Sequence, residues 1–210
     1  MKNRYSLLIF LITTLRATDD IESWSSVSLE FKAPYISKLK IEQSIRFENQ
    51  ARDFKQTFTE LSFYYKVNNF ITLNIPYRYA IFEDKIKKRL GLGSAFRYRI
   101  KNLSFRQRFK FQDSKEVKEK KSKIEQTIRN KFSVNYKLSK KTRPFISYEV
   151  FNNYKEKIEA CNEDRFSIGL SLDIFKKKTL KISYVYKRED LLKKHAEYFG
   201  VFALDFGVQI

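Results

Sequence analysis

Cysteine occurs once in this chain, at Cys161, and histidine once, at His195. A lone thiol excludes an internal disulfide, and neither residue has neighbours at metal-ligand spacing. Cys161 lies in a polar stretch, NYKEKIEACNEDR. Only five glycines and three prolines occur in 210 residues, and they form no phosphate-cradling loop, dinucleotide fingerprint or repeat. Long apolar runs are missing after the first twenty residues. No later stretch is therefore able to cross a membrane as a helix, which needs about 20 apolar residues. Helical periodicity is missing as well, so no helix is available to cover a sheet face. No cofactor and no metal is expected.

Positive charge and aromatic side chains are what the chain has. Lys and Arg number 43 against 24 Asp and Glu, a formal charge of +19, beside 20 Phe and 13 Tyr. Such a surplus fits nucleic-acid contact, an anionic membrane surface or a charged cavity. Most lysines cluster between periodic segments, as solvated loops would have them. The arginines sit inside those segments.

The segment RLGLGSAFRYRIKNLSFRQRFKF (residues 89–111) shows the pattern. Leu90, Leu92, Phe96, Tyr98 and Ile100 share one parity, and Arg89, Arg97 and Arg99 share the other with Gly91, Gly93 and Ala95. After Lys101-Asn102, Leu103, Phe105, Phe109 and Phe111 oppose Ser104, Arg106, Arg108 and Lys110. Alternation of period two predicts two strands joined by a tight turn, apolar on one face and basic on the other. Similar runs cover 36–47, 58–67, 70–81, 124–138, 143–151, 165–174, 180–186 and 198–210, with a weaker one at 24–31. That makes eleven, nearly all long enough for a membrane strand of about 9–11 residues. Short connections alternate with longer charged ones, the latter at 49–55, 83–88, 113–123, 152–164 and 189–194. An up-and-down meander with one trimmed rim gives that alternation.

Which face is wet decides the class. The apolar parity is free of charge through the middle of nearly every run. Tyrosines gather toward strand ends (Tyr77 and Tyr79, Tyr184 and Tyr186, Tyr198), as interfacial girdles do. So many aromatics would overfill a small barrel turned apolar-side-in, as a lipocalin is. The expected fold is all-β, an antiparallel up-and-down transmembrane β-barrel of about 10–12 strands. Gln43, Ser94, Gln107 and Asn130 are uncharged polar residues on the lipid-facing parity. Residues 1–17 start with Lys2 and Arg4, run apolar from Tyr5 to Leu15 and reach a small residue at Ala17. They read as a secretory signal, with a buried N-terminal strand or helix as the alternative, leaving 18–210 as one barrel domain.

Trp24, Glu42-Gln43-x-x-Arg46, Tyr77-Arg78, Arg143-Pro144-Phe145 with Tyr148-Glu149, Arg165-Phe166-x-x-Gly169 and a closing strand with His195 occur in this order. In that order they resemble an uncharacterised bacterial family known as a domain of unknown function. The resemblance implies a small secreted β-barrel of the Gram-negative outer membrane and implies no activity. Two features depart from that frame. Barrel-insertion signals end in an aromatic residue, whereas this chain ends Phe206-x-Val208-x-Ile210. Bacterial barrels have even strand counts, so ten or twelve is expected rather than eleven.

With lipid outside, the lumen receives Glu42, Arg46, Glu60, Arg78, Arg97, Arg99, Arg106, Arg108, Arg129, Lys131, Glu149, Arg165 and Asp173. Rings of Arg and Lys favour anions, so a narrow porin-like passage for small anionic solutes is one expectation. The alternative is a sealed structural barrel whose arginines and glutamates neutralise one another. A lipid-modifying enzyme would need His195 at the outer rim paired with a serine, and Ser147, Ser167 and Ser171 merely occupy the polar parity. Catalysis is not expected. Nucleic-acid binding would mix aromatics with Lys and Arg on one face, and here they are segregated. The expected partners are the lipid bilayer, lipopolysaccharide at the lysine-rich loops, and the barrel-assembly machinery during insertion.

Overall fold

A computed structural model describes residues 18–33, 37–117, 124–154 and 158–210, and in them the alternating runs are strands, with no helix. They are β1 (Asp20–Lys32), β2 (Ser37–Glu48), β3 (Asp53–Lys66), β4 (Ile71–Phe82), β5 (Ile86–Ile100), β6 (Leu103–Val117), β7 (Ile124–Tyr136), β8 (Thr142–Tyr154), β9 (Ile158–Phe175), β10 (Lys178–Glu189) and β11 (Glu197–Gln209). Each pairs antiparallel with its chain neighbour, and β1 closes on β11 to complete a barrel. The segment read as a secretory signal lies outside the described residues.

The closure corrects the expected even count. Eleven strands are described, and the weakly patterned first run is a full strand of 13 residues. Its pattern is weak because Ser23 and Ser25 take outward positions while Trp24 takes an inward one. An odd number of up-and-down strands leaves the first and last pointing the same way. The seam is therefore parallel, with Asp20 paired to Phe199 and Glu30 to Gln209.

The long charged connections are corrected too. Much of 113–123 and 152–164 is strand: β6 runs on to Val117, and β9 is 18 residues long from Ile158. Ladder pairing continues through these charged residues, with Asp113 paired to Gln126 and Lys115 to Ile124. At the rim where β1 begins the connections are 49–52, 83–85, 118–123, 155–157 and 190–196, all but the last shorter than expected. At the end where β11 finishes they are 33–36, 67–70, 101–102, 137–141 and 176–177. The rim turn after β2 is left-handed at Asn49, Gln50 and Ala51. The Asp20 carboxylate accepts the backbone N–H groups of Asn49 and Gln50, each at 2.8 Å, and so ties this turn to the seam.

Polarity is inverted relative to a soluble core. Glu22 and Lys187 are 0% and 1% exposed, whereas Leu92, Phe202 and Val27 on the outward parity are 60%, 55% and 52% exposed. Two pairs of polar residues on the outward face bond each other: Gln43 donates to Thr57 at 2.8 Å, and Gln107 to Asn130 at 3.4 Å. Outward aromatics stack as Phe70–Phe96 and Phe105–Phe132 near the C-terminal end, and as Tyr186–Tyr198 toward the opposite rim.

Candidate functional site

The lumen is made from the inward parity of the strands. On β5 the small residues Gly91, Gly93 and Ala95 leave a trough. Gly91 lies against the one proline inside β4: a Cβ there would come 3.0 Å from Pro76 Cγ and 3.2 Å from Phe111 O. Proline removes a ladder donor, and the missing side chain opposite gives its ring room.

Cross-strand pairing assembles a basic wall around this trough. Arg89 pairs with Ser114, Gly93 with Lys110, Ala95 with Arg108 and Arg97 with Arg106. On the next strand Arg129 stands beside Lys110 and Lys131 beside Arg108. From the rim to the C-terminal end the β5–β7 wall thus carries Arg89, Lys110 with Arg129, Arg108 with Lys131, Arg97 with Arg106, and finally Arg99.

Carboxylates meet these cations at a few points. Glu149, 3% exposed, accepts hydrogen bonds from Arg129 at 2.7 Å and Arg108 at 3.1 Å, and lies 3.5 Å from Lys131. Arg78 pairs with Glu60 at 2.7 Å, Lys40 with Glu42 at 2.6 Å, Arg165 with Glu163, and Arg143 with Asp173. Buried Glu22 holds Lys187 at 2.6 Å and Lys55 at 2.9 Å. Arg46, Arg89, Arg97, Arg99, Arg106 and Lys110 have no carboxylate at ion-pair distance among the described residues.

Midway along the barrel, arginines and rings alternate across the lumen. Arg78 lies 3.7 Å from the Phe58 centroid, and Arg46 lies 5.1 Å from Phe58 and 4.0 Å from Trp24. Arg165 lies 5.0 Å from Trp24 and 4.5 Å from Phe151, and Arg129 stands 4.5 Å from Phe151 on its other contact. Each such contact is worth about 0.5–2 kcal/mol, more where water is excluded. This waist separates two cavities. A chamber of about 500 Å³ lies on the rim side, with Arg46, Arg78, Arg89, Arg129 and Arg165 in its wall. A pocket of about 110 Å³ lies beyond, with Lys131, Phe145, Glu149 and Lys181 in its wall. Trp24 and Arg165 border both. Gly169 gives the Phe145 ring its room, since a Cβ there would fall 2.7 Å from that ring and closer still to Ile182 O.

Of the residues named from the sequence, Arg46, Arg78, Arg129 and Arg165 meet at the chamber, and Lys131 and Glu149 at the lower pocket. Glu60 stands behind Arg78. Glu42, Arg97, Arg99, Arg106, Arg108 and Asp173 share the inward parity; Arg97 and Arg99 are exposed near the C-terminal end. Parity pointed to Arg89 and Lys110 as well, but not to their unpaired state. Phe58 and Phe151 had no sequence signal beyond being aromatics out of register with the apolar face. The Glu22–Lys187 pair joins residues 165 apart and follows only from closure. His195 is exposed on connection 190–196, and Ser147 and Ser167 are buried within the barrel; no serine hydrogen-bonds it among the described residues. Cys161 Sγ donates to Glu163 O at 3.3 Å.

These features define a class: a closed β-barrel with an apolar outer wall and a charged, arginine-rich lumen. The chain belongs to the family described as protein of unknown function DUF2490, whose profile matches residues 21–197. Among solved structures it is similar to the NanC porin in a rhombohedral crystal form, with a TM-score of 0.53. That likeness covers 80% of this chain and 86% of the other at 10% identity, and so concerns the fold. No curated protein matches it.

Proposed function

We propose that this protein is an outer-membrane β-barrel that passes small anionic solutes along the basic wall of β5–β7. The observation that carries the reading is the run of cations without carboxylates, Arg89 and Lys110 within the lumen and Arg97, Arg99 and Arg106 toward its C-terminal end. Unneutralised cations on low-dielectric walls raise the local concentration of anions. The porin fold of the structural neighbour supports the class. Insertion in a bilayer is supported by the inverted polarity, since apolar area left in water costs about 25 cal/mol per Å². Lipid, lipopolysaccharide at the rim lysines and an assembly machinery are the partners this reading entails.

Single-channel recording of the purified protein in a planar bilayer under a salt gradient is the test. Current steps that reverse at an anion-selective potential support the pore. The Arg–aromatic waist favours a second reading, a barrel sealed by its own side chains, and a folded, inserted but silent protein would select it. Membrane insertion has its own check. Leu92→Arg on the outward face is expected to cost about 2–4 kcal/mol of folding stability in lipid. On a water-facing surface the same change stays within about 0.5 kcal/mol. Urea titration in vesicles that found no loss would argue against lipid contact at Leu92.

A further inference from the structure

The geometry points to the 500 Å³ chamber as a binding site for a compact organic dianion, its two oxyanion groups (carboxylate or phosphate) held by Arg46 and Arg89. The volume falls in the range of small-molecule sites, about 300–1,000 Å³. Five guanidinium groups border the chamber, and three are already matched: Arg78 by Glu60, Arg129 by Glu149 and Arg165 by Glu163. The chamber's Lys55, Lys87 and Lys187 are matched as well, by Glu22, Glu48, Glu125 and Glu189.

Two cations are left over. Arg46 Nε is buried with no hydrogen-bond acceptor among the described residues, and its guanidinium lies 4.0 Å from the Trp24 ring and 5.1 Å from the Phe58 ring instead. Arg89 donates from Nε to Ser114 Oγ at 2.9 Å, and its Nη atoms have no acceptor among the described residues. A buried donor without an acceptor costs about 1–3 kcal/mol, more when charged. That cost falls on Arg46 Nε alone; the Nη forks of Arg46 and Arg89 have no acceptor among the described residues, and a guanidinium fork grips carboxylate or phosphate at two points. Two unmatched forks on one chamber call for two negative charges. The site deepens the anion-pore reading by naming the solute class, and rests on it only for the solute's route in.

Trp24, the only tryptophan, sits at the chamber floor and supplies a fluorescence reporter. Succinate, inorganic phosphate, acetate and glucose would be titrated into the folded barrel in detergent, with calorimetry in parallel. A saturable response to succinate or phosphate is expected, with acetate at least tenfold weaker and glucose without effect. Arg46→Gln with Arg89→Gln is expected to weaken binding at least tenfold, Arg89→Gln alone several-fold, and Lys193→Gln on connection 190–196 not at all. No saturable binding of succinate or phosphate, acetate as tight as succinate, or Arg89→Gln binding as the unaltered protein does, would each overturn the site. A silent barrel that still binds succinate sinks the pore alone. An anion-selective barrel that binds neither dianion sinks the site alone.

Discussion

Replacing Arg97, Arg99, Arg106 and Arg108 together by glutamine is expected to collapse anion selectivity while the barrel still folds and conducts. Three of these four have no carboxylate partner among the described residues, and Arg108 shares Glu149 with the closer Arg129 and with Lys131. An anion about 4 Å from one guanidinium gains about 1 kcal/mol in water-like surroundings and about 4 kcal/mol near a protein wall. Losing four such groups should lower the anion-to-cation permeability ratio at least tenfold, a change of about 1.4 kcal/mol. Under a tenfold salt gradient an ideally selective pore reverses near about 59 mV, and the variant should move well toward zero. An unchanged reversal potential in a conducting variant would remove these residues from the path.

Glu149→Ala is expected to be the most damaging single change in the lumen. Its carboxylate is the common partner of Arg108, Arg129 and Lys131 and is almost wholly buried. Removing one partner of a buried ion pair costs about 3–5 kcal/mol, because the remaining charge is left uncompensated. Here three cations are left facing one another. A fall of that size in stability should appear as a lower urea midpoint in micelles. Adding Arg129→Gln to the same protein should recover part of it, because one of the repelling charges is then gone. If Glu149→Ala kept the original midpoint, the three cations would have to be neutralised elsewhere.

Both expectations come from the same division of labour between sequence and fold. Period-two alternation in residues 89–111 was enough to set strand, face and turn, since a side chain's side of a sheet depends only on its parity. The same rule located the inward arginines from Arg46 to Arg165. It failed where both parities are polar. Ser23, Ser25 and Trp24 disguised β1, and residues 113–117, polar on both parities as far as Glu116, read as loop. Both misreadings bear on strand number and length, which local pattern states weakly.

Of the residues that carried the family resemblance, Trp24, Arg46, Arg78, Glu149, Arg165 and Gly169 lie on the lumen side, whereas Tyr77, Tyr148 and Phe166 face outward and His195 lies on a connection. By itself, the sequence determined an all-β chain with a charged face, an apolar face and a surplus of arginine on the charged one. The tertiary structure decided that eleven strands close through a parallel seam and that Glu149 gathers three cations. It also decided that Arg46 and Arg89, beside one chamber, have no carboxylate at ion-pair distance among the described residues. Parity is a property of each strand alone, whereas pairing across a lumen depends on register and closure, which bring together residues as far apart as Glu22 and Lys187.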